Sequence, residues 1–196
     1  MADGSTRPIE DLEEGDLVLA TDPETGKTTV RVVTDTHINN DTDLTDITVE
    51  DGDGNRSVLN TTAHHPFWSE DRQEWIYAAD LTVGEDLRSL DGEPLTVAAV
   101  ASFTGAQVMY DLTVDTDHTY YMVAGNTPVL VHNCGEEEVR GAIQSAFPER
   151  NVRTGGDVRR PDGTQWTDHD VYDDDFVCEV ACSGGVTGQV LVGGSA

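Results

Sequence analysis

Lysine is almost absent from this chain. Among 196 residues Lys27 is the only lysine, and 11 basic residues face 38 acidic ones, for a formal net charge of -27. Phosphate backbones and anionic bilayers are held by basic surface, so unaided binding to nucleic acid or to a membrane is not expected. A solvated acidic shell, as in a salt-adapted protein, accounts for the charge. No apolar run approaches the roughly 20 residues of a membrane-spanning helix. Met1-Ala2-Asp3-Gly4 lacks the basic and apolar regions of a signal peptide. Export is therefore expected only through a larger secreted or cell-surface parent chain. Cysteine is also scarce: Cys134, Cys178 and Cys182 are too few for a disulfide scaffold. The last two have no second pair and no histidine set at zinc-site spacing, so they read as buried free thiols.

What remains is a chain with 37% hydrophobic residues, enough for one medium domain or a domain and a half. Residues 7–133 read as all-β. Residues 16–20 and 27–34 flank the turn Asp22-Pro23-Glu24-Thr25-Gly26 as a hairpin. Residues 45–50 alternate and meet residues 56–60 across Asp51-Gly52-Asp53-Gly54-Asn55. That turn lacks the spacing and the closing glutamate of a calcium loop. Phe67-Trp68 and Trp75-Ile76-Tyr77 predict another hairpin, with one helical turn over 78–81. Residues 95–103, 108–114, 118–123 and 128–132 complete the strands. Many short strands at regular spacing predict an antiparallel barrel or sandwich-like fold.

Four places along this β region carry residues with chemistry. Thr62-Ala63-His64-His65 sets a hydroxyl and an imidazole three residues apart, just before a strand that starts at Pro66. Such a pair can hold a peptide carbonyl and protonate a departing amine. Taken alone, it reads sooner as a turn in which Thr62 satisfies backbone and His65 packs on Trp68. Asp111 precedes a strand and His118 sits at a turn; each alone is also a structural residue. At the end of the last strand stand Val131-His132-Asn133-Cys134. An asparagine amide nitrogen can attack its own main-chain carbonyl, closing a succinimide and cutting the following bond. Because the attack is intramolecular, alignment supplies much of the barrier. His132 can polarise the carbonyl or protonate the leaving nitrogen, and Cys134 becomes the new N-terminus or an acyl acceptor.

Taken in order, Thr62…His65, Tyr110-Asp111-Leu112, His118-Thr119-Tyr120 and Val131-His132-Asn133-Cys134 resemble the motif blocks of the Hint (Hedgehog/intein-like) superfamily. The opening sixteen residues and His65-Pro66-Phe67-Trp68 are most similar to the intein-like pretoxin modules of bacterial RHS-type polymorphic toxins. The resemblance covers residues 1–134. It implies a horseshoe-like all-β domain over 1–133 and a toxin-related segment over 134–196. It also implies self-cleavage at Asn133–Cys134 without external cofactor, freeing the downstream segment. Under it, Thr62 and His65 activate the amide at an N-terminal junction, and Asp111 couples the two cleavage steps. His118 assists cyclisation, His132 is the penultimate histidine, Asn133 cyclises and Cys134 starts the downstream segment. The implied partners are that segment, as substrate, and an immunity protein. Family members open with a nucleophilic cysteine or serine on a first strand ahead of the Met-Ala-Asp-Gly stretch. Here that strand is expected to be missing, which leaves the N–S acyl shift without a nucleophile. A module that only presents the downstream segment, uncleaved, is the first alternative.

The downstream segment is predicted as a small α+β stub. Residues 135–147 read as a helix with an acidic first turn, stopped at Pro148. Residues 165–172 and 175–181 read as a hairpin. Asp170 and Glu179 on its two strands weakly resemble the Asp…Glu-x-Lys pattern of restriction-endonuclease-like toxins. In that reading they would bind Mg²⁺ and activate water. Ala181 stands where the lysine belongs, which counts against a nuclease.

Overall fold

The computed structural model describes residues 5–133 and 185–193, Glu149, and the backbone of 153–154, 170–172 and 177–179. The predicted helix over 135–147 lies outside the described residues. In chain order the strands are β1 (Thr6–Pro8), β2 (Leu17–Asp22), β3 (Lys27–Asp51), β4 (Arg56–Thr62), β5 (Pro66–Ser69), β6 (Glu74–Tyr77) and β7 (Asp86–Leu87). Then follow β8 (Leu95–Val114), β9 (Thr119–Ala124), β10 (Thr127–His132), β11 (Arg153–Thr154), β12 (Asp170–Tyr172), β13 (Val177–Glu179), β14 (Val186–Thr187) and β15 (Gln189–Leu191). Single 3-10 turns occupy Ile9–Asp11 and Ala78–Asp80. The fold is mainly antiparallel sheet, as the sequence predicts.

The chain forms two compact units, Met1–Asn133 with Ser183–Ala196, and Cys134–Cys182. In the first, hydrogen-bonded neighbours run β1-β15-β9-β10-β5-β7-β8-β14-β4-β3-β2, with β6 on β5 and a second pairing of β3 with β8. In the second, β11, β12 and β13 form a sheet of their own. Asp170 and Glu179 stand opposite one another in its antiparallel register. Their side chains lie outside the described residues.

Strands β9 and β10 are buried on both faces, which is why their sequences run apolar rather than alternating. Tyr120, Met122, Val129 and Val131 join the main core with Ile47, Leu59, Phe67, Leu95 and Leu112. Tyr121 and Leu130 point into a second cluster with Leu19, Trp68 and Leu191. Gly125 closes this hairpin at φ +62°, the left-handed region where glycine is the unstrained choice.

Two predictions change. The β3 and β8 stretches, each expected as two short strands, are continuous and pair from Val33 with Val114 out to Asp51 with Leu95. The polar residues between them read as loop because this ribbon has no core to face: Ile38 is 68% exposed and Phe103 45%. Backbone hydrogen bonds, broken by register shifts at Val33/Asp35 and Asp41/Asp43, hold it instead. The second change concerns the boundary of the β domain. Residues 186–191 return to the first unit and occupy a position between β1 and β9 and beside β4 and β8. The sequence reading ends the β domain at 133; the sheet also takes in this returning stretch, because Val186, Val190 and Leu191 are buried in it.

The contrast between ribbon and core is measurable. Ile47→Ala, at a fully buried position, should cost about 3 kcal/mol of unfolding free energy. Ile38→Ala should stay within about 0.5 kcal/mol. Urea titration of both variants checks this.

Candidate functional site

The site is assembled on the ends of β4, β9 and β10. Strand β10 delivers His132 opposite Thr119 and stops at Asn133, which is completely buried. The Asn133 N–H donates to the His118 carbonyl at 2.9 Å. The His118 and His132 rings lie 6.4 Å apart, and Trp75 packs edge-on to His132 at 4.9 Å. His118, His132 and Asn133 are therefore one cluster. Cys134 lies outside the described residues.

His118 takes a left-handed backbone, φ +54°, next to Thr116 at φ +67°. Such positions cost about 1 kcal/mol or more for residues other than glycine. The turn is clamped from β3: Arg31 donates to the Asp117 carboxylate at 2.6 Å and Thr29 at 3.0 Å. On the far side Thr119 is tied to the Thr21 backbone by two hydrogen bonds. The strain is held by contacts on both flanks, and it aims the His118 carbonyl at Asn133.

Thr62 and His65 form the second cluster, on the turn between β4 and β5. Thr62 grips a single residue from both sides. The Gly185 N–H donates to Thr62 Oγ1 at 3.1 Å, and the Thr62 N–H donates to the Gly185 carbonyl at 3.0 Å. The Thr61 hydroxyl donates to the same carbonyl at 3.0 Å. His65 is fully buried against Phe67 and Tyr120, rather than against Trp68. Neither of its ring nitrogens has a hydrogen-bond partner among the described residues. Burial, with His132 nearby as a further cause, drops its pKa to about 3. The ring is neutral at pH 7, with one N–H to donate and one lone pair to accept.

Asp111 reaches the second cluster through Tyr120. It is buried on β8 and accepts the Tyr120 hydroxyl at 3.0 Å and the Leu112 N–H at 2.8 Å. Burial, then the neighbouring Asp111, raises the Tyr120 phenol well above its ordinary pKa, so it stays protonated as a donor. Tyr120 in turn lies 6.4 Å, ring to ring, from His65. Among the described residues no group of three or more metal-ligating side chains occurs.

The sequence reading names Thr62, His65, Asp111, His118, His132 and Asn133; the structure brings His118, His132 and Asn133 together at one strand end and sets His65 and Asp111 against Tyr120, with Thr62 on the turn that carries His65. It overlooks Gly185, the Asp117 clamp and Tyr120 itself. The signal for the first was present: Gly185-Val186-Thr187-Gly188-Gln189-Val190-Leu191 is β-branched and glycine-punctuated, as a short strand pair should be.

This antiparallel architecture, with its histidines and asparagine converging at one strand end, is an intein-like Hint fold. The chain belongs to the pretoxin Hint domain family, whose model it matches over residues 1–134. It is similar to the bacterial intein-like domain from Clostridium thermocellum at 35% identity. That match has a TM-score of 0.56 and covers 64% of this chain and 86% of that one. It shares its fold with a DnaB intein from Synechocystis sp. PCC 6803, at 21% identity, a TM-score of 0.51, and 64% and 84% coverage. Among curated proteins there is no match. The chain is thus a Hint domain of the autoprocessing class. No helix among the described residues is long and apolar enough to cross a membrane.

Neutral, buried His65 has a consequence for stability. Its folded pKa of about 3 lies below the model-peptide value of 6.5. Between these values the unfolded chain binds the extra proton, so stability is full above pH 6.5 and falls as pH drops. From pH 7 to pH 5 the loss should be about 2 kcal/mol. The carboxylates with lowered pKa, such as Asp16 and Glu85, add their own loss only near pH 4 and below. Urea midpoints across that range should therefore decline in the native chain and decline less in His65→Phe.

Proposed function

We propose that this domain cuts its own chain between Asn133 and Cys134 by asparagine cyclisation, within a polymorphic toxin. The observation that carries the reading is the complete burial of Asn133, its N–H fixed by the His118 carbonyl, beside the His118 and His132 rings. The side-chain nitrogen attacks the Asn133 carbonyl carbon, and the bond to the Cys134 nitrogen breaks. One proton leaves the attacking amide and one arrives on the departing amine. The products are an aminosuccinimide at 133 and a free α-amine at 134, with no atom gained or lost.

Each residue then has a task. His118 receives or shares the proton of the attacking amide. His132 donates to the carbonyl oxygen or the leaving nitrogen. Burial keeps water from competing, and immobilisation raises the effective concentration of the nucleophile. In this reading Asp111, through Tyr120, couples the cluster to His65, and Thr62 holds the backbone of Gly185. The reaction needs no external cofactor. The substrate is the chain's own downstream segment, whose neutralising partner in this reading is an immunity protein. A nuclease role for that segment, with Mg²⁺ at Asp170 and Glu179, has less support, because the lysine of that pattern is replaced by Ala181.

Intact mass of the purified chain over time tests the reading. A product starting at Cys134 should accumulate in the native chain and be absent from Asn133→Ala. His132→Ala should slow its appearance by about 10²–10⁴-fold. A full-length chain that persists unchanged in all three samples would sink the proposal and favour a presentation module.

A further inference from the structure

A single cut separates two parts of a chain only if the bond is all that joins them. Here residues downstream of Asn133 are woven back into the sheet upstream of it. Gly185 is held by Thr61 and Thr62. Val186 and Thr187 pair with Thr61 and Asn60 on β4, and Val186 also with Tyr110 on β8. Gln189, Val190 and Leu191 pair with Pro8, Arg7 and Thr6 on one side, and the first two with Val123 and Met122 on the other. Gly188 accepts from the Ile9 N–H at 2.9 Å, and Val192 and Gly193 donate to Ser5 and Leu17 at 3.1 and 2.8 Å.

The sequence of this stretch suits its seat. A Cβ at Gly185 would lie 2.7 Å from the Met109 Cβ and 3.3 Å from the Tyr110 backbone, so only glycine lets the strands meet there. Gly188 bends the chain between β14 and β15 at φ +137°, a conformation open chiefly to glycine. Val190 enters the main core and Leu191 the second cluster.

We infer that residues 185–193 are a permanent strand of the upstream domain, and that cleavage after Asn133 leaves a two-chain complex instead of freeing residues 134–196. This rests on the cleavage reading above for the cut, but not for the grip. The groove between β1 and β9 takes the chain's own returning strand. Release of the segment between then requires a second scission, somewhere from 134 to 184. Thr62 holds the returning chain at Gly185, ahead of both strands.

Native size-exclusion chromatography with in-line mass measurement tests the inference on the fully cleaved protein. Both fragments should co-elute at the mass of one intact chain and separate only in denaturing guanidinium. A downstream fragment eluting alone overturns the inference. A complex of two upstream and two downstream fragments also overturns it, since the strand would then be exchanged between copies. The grip is tested apart from self-cleavage in Asn133→Ala chain with a specific protease site inserted between Gly155 and Gly156. After protease cutting, the same co-elution is expected, and separation overturns the inference. A native chain that never cleaves itself overturns only the proposed function. In the protease-cut chain, Val190→Asp should speed fragment dissociation by about 100-fold or more; an unchanged rate would count against the strand as the point of attachment.

Discussion

Strand β9 needs a partner on each edge, and most of the domain follows from how that need is met. Both of its faces are buried, so its backbone N–H and C=O groups have no water to turn to. β10 satisfies one edge along its whole length, from Thr127 with Ala124 to His132 with Thr119. The other edge is satisfied by β15, a strand from the far end of the sequence. With both edges closed, β9 becomes the stiff element that carries Tyr120 inward and ends at the strained turn of His118. An unpaired edge at this depth would leave polar groups unsatisfied where burial makes them most costly.

Rigidity matters because the site is built on position more than on charge. His65 is kept uncharged by burial, and Tyr120 is kept protonated by burial and by Asp111. Neither carries a full charge at pH 7. Each brings an oriented dipole in a water-poor interior, where oriented dipoles act strongly. The left-handed turn at His118 shows the same economy: Arg31 and Thr29 hold Asp117 from β3, and the tied turn points a carbonyl at Asn133.

Much of this was legible from the sequence, for identifiable reasons. The hairpins around Gly26 and Asp51 announce themselves through turn residues between β-branched runs. The run from Thr127 to His132 is read correctly because a doubly buried strand is continuously apolar. Thr62, His65, Asp111, His118, His132 and Asn133 are recognisable as an ordered set, though each alone is ambiguous. The ribbon around Ile38 is not legible, since a strand with no buried face has no hydrophobic period to display. Nor is the role of residues 185–193: their strand character is local, but the identity of their partners is a matter of topology. Thr6 opposite Leu191 is a pairing that no window along the chain contains.

That long-range pairing also makes the domain a clock during its own synthesis. A ribosome adds roughly 5–20 residues per second, and the hydrogen bond between Thr62 and Gly185 spans 123 residues. The strands carrying the histidines and Asn133 therefore emerge well before the strand that braces them, by a delay on the order of seconds. Until Leu191 has been added, β9 has an open edge at Met122 and Val123. The intervening segment is thus translated before the sheet that precedes it in the chain is complete. Order of manufacture leaves this edge of the sheet to be closed last, after residues 134–184 have been made.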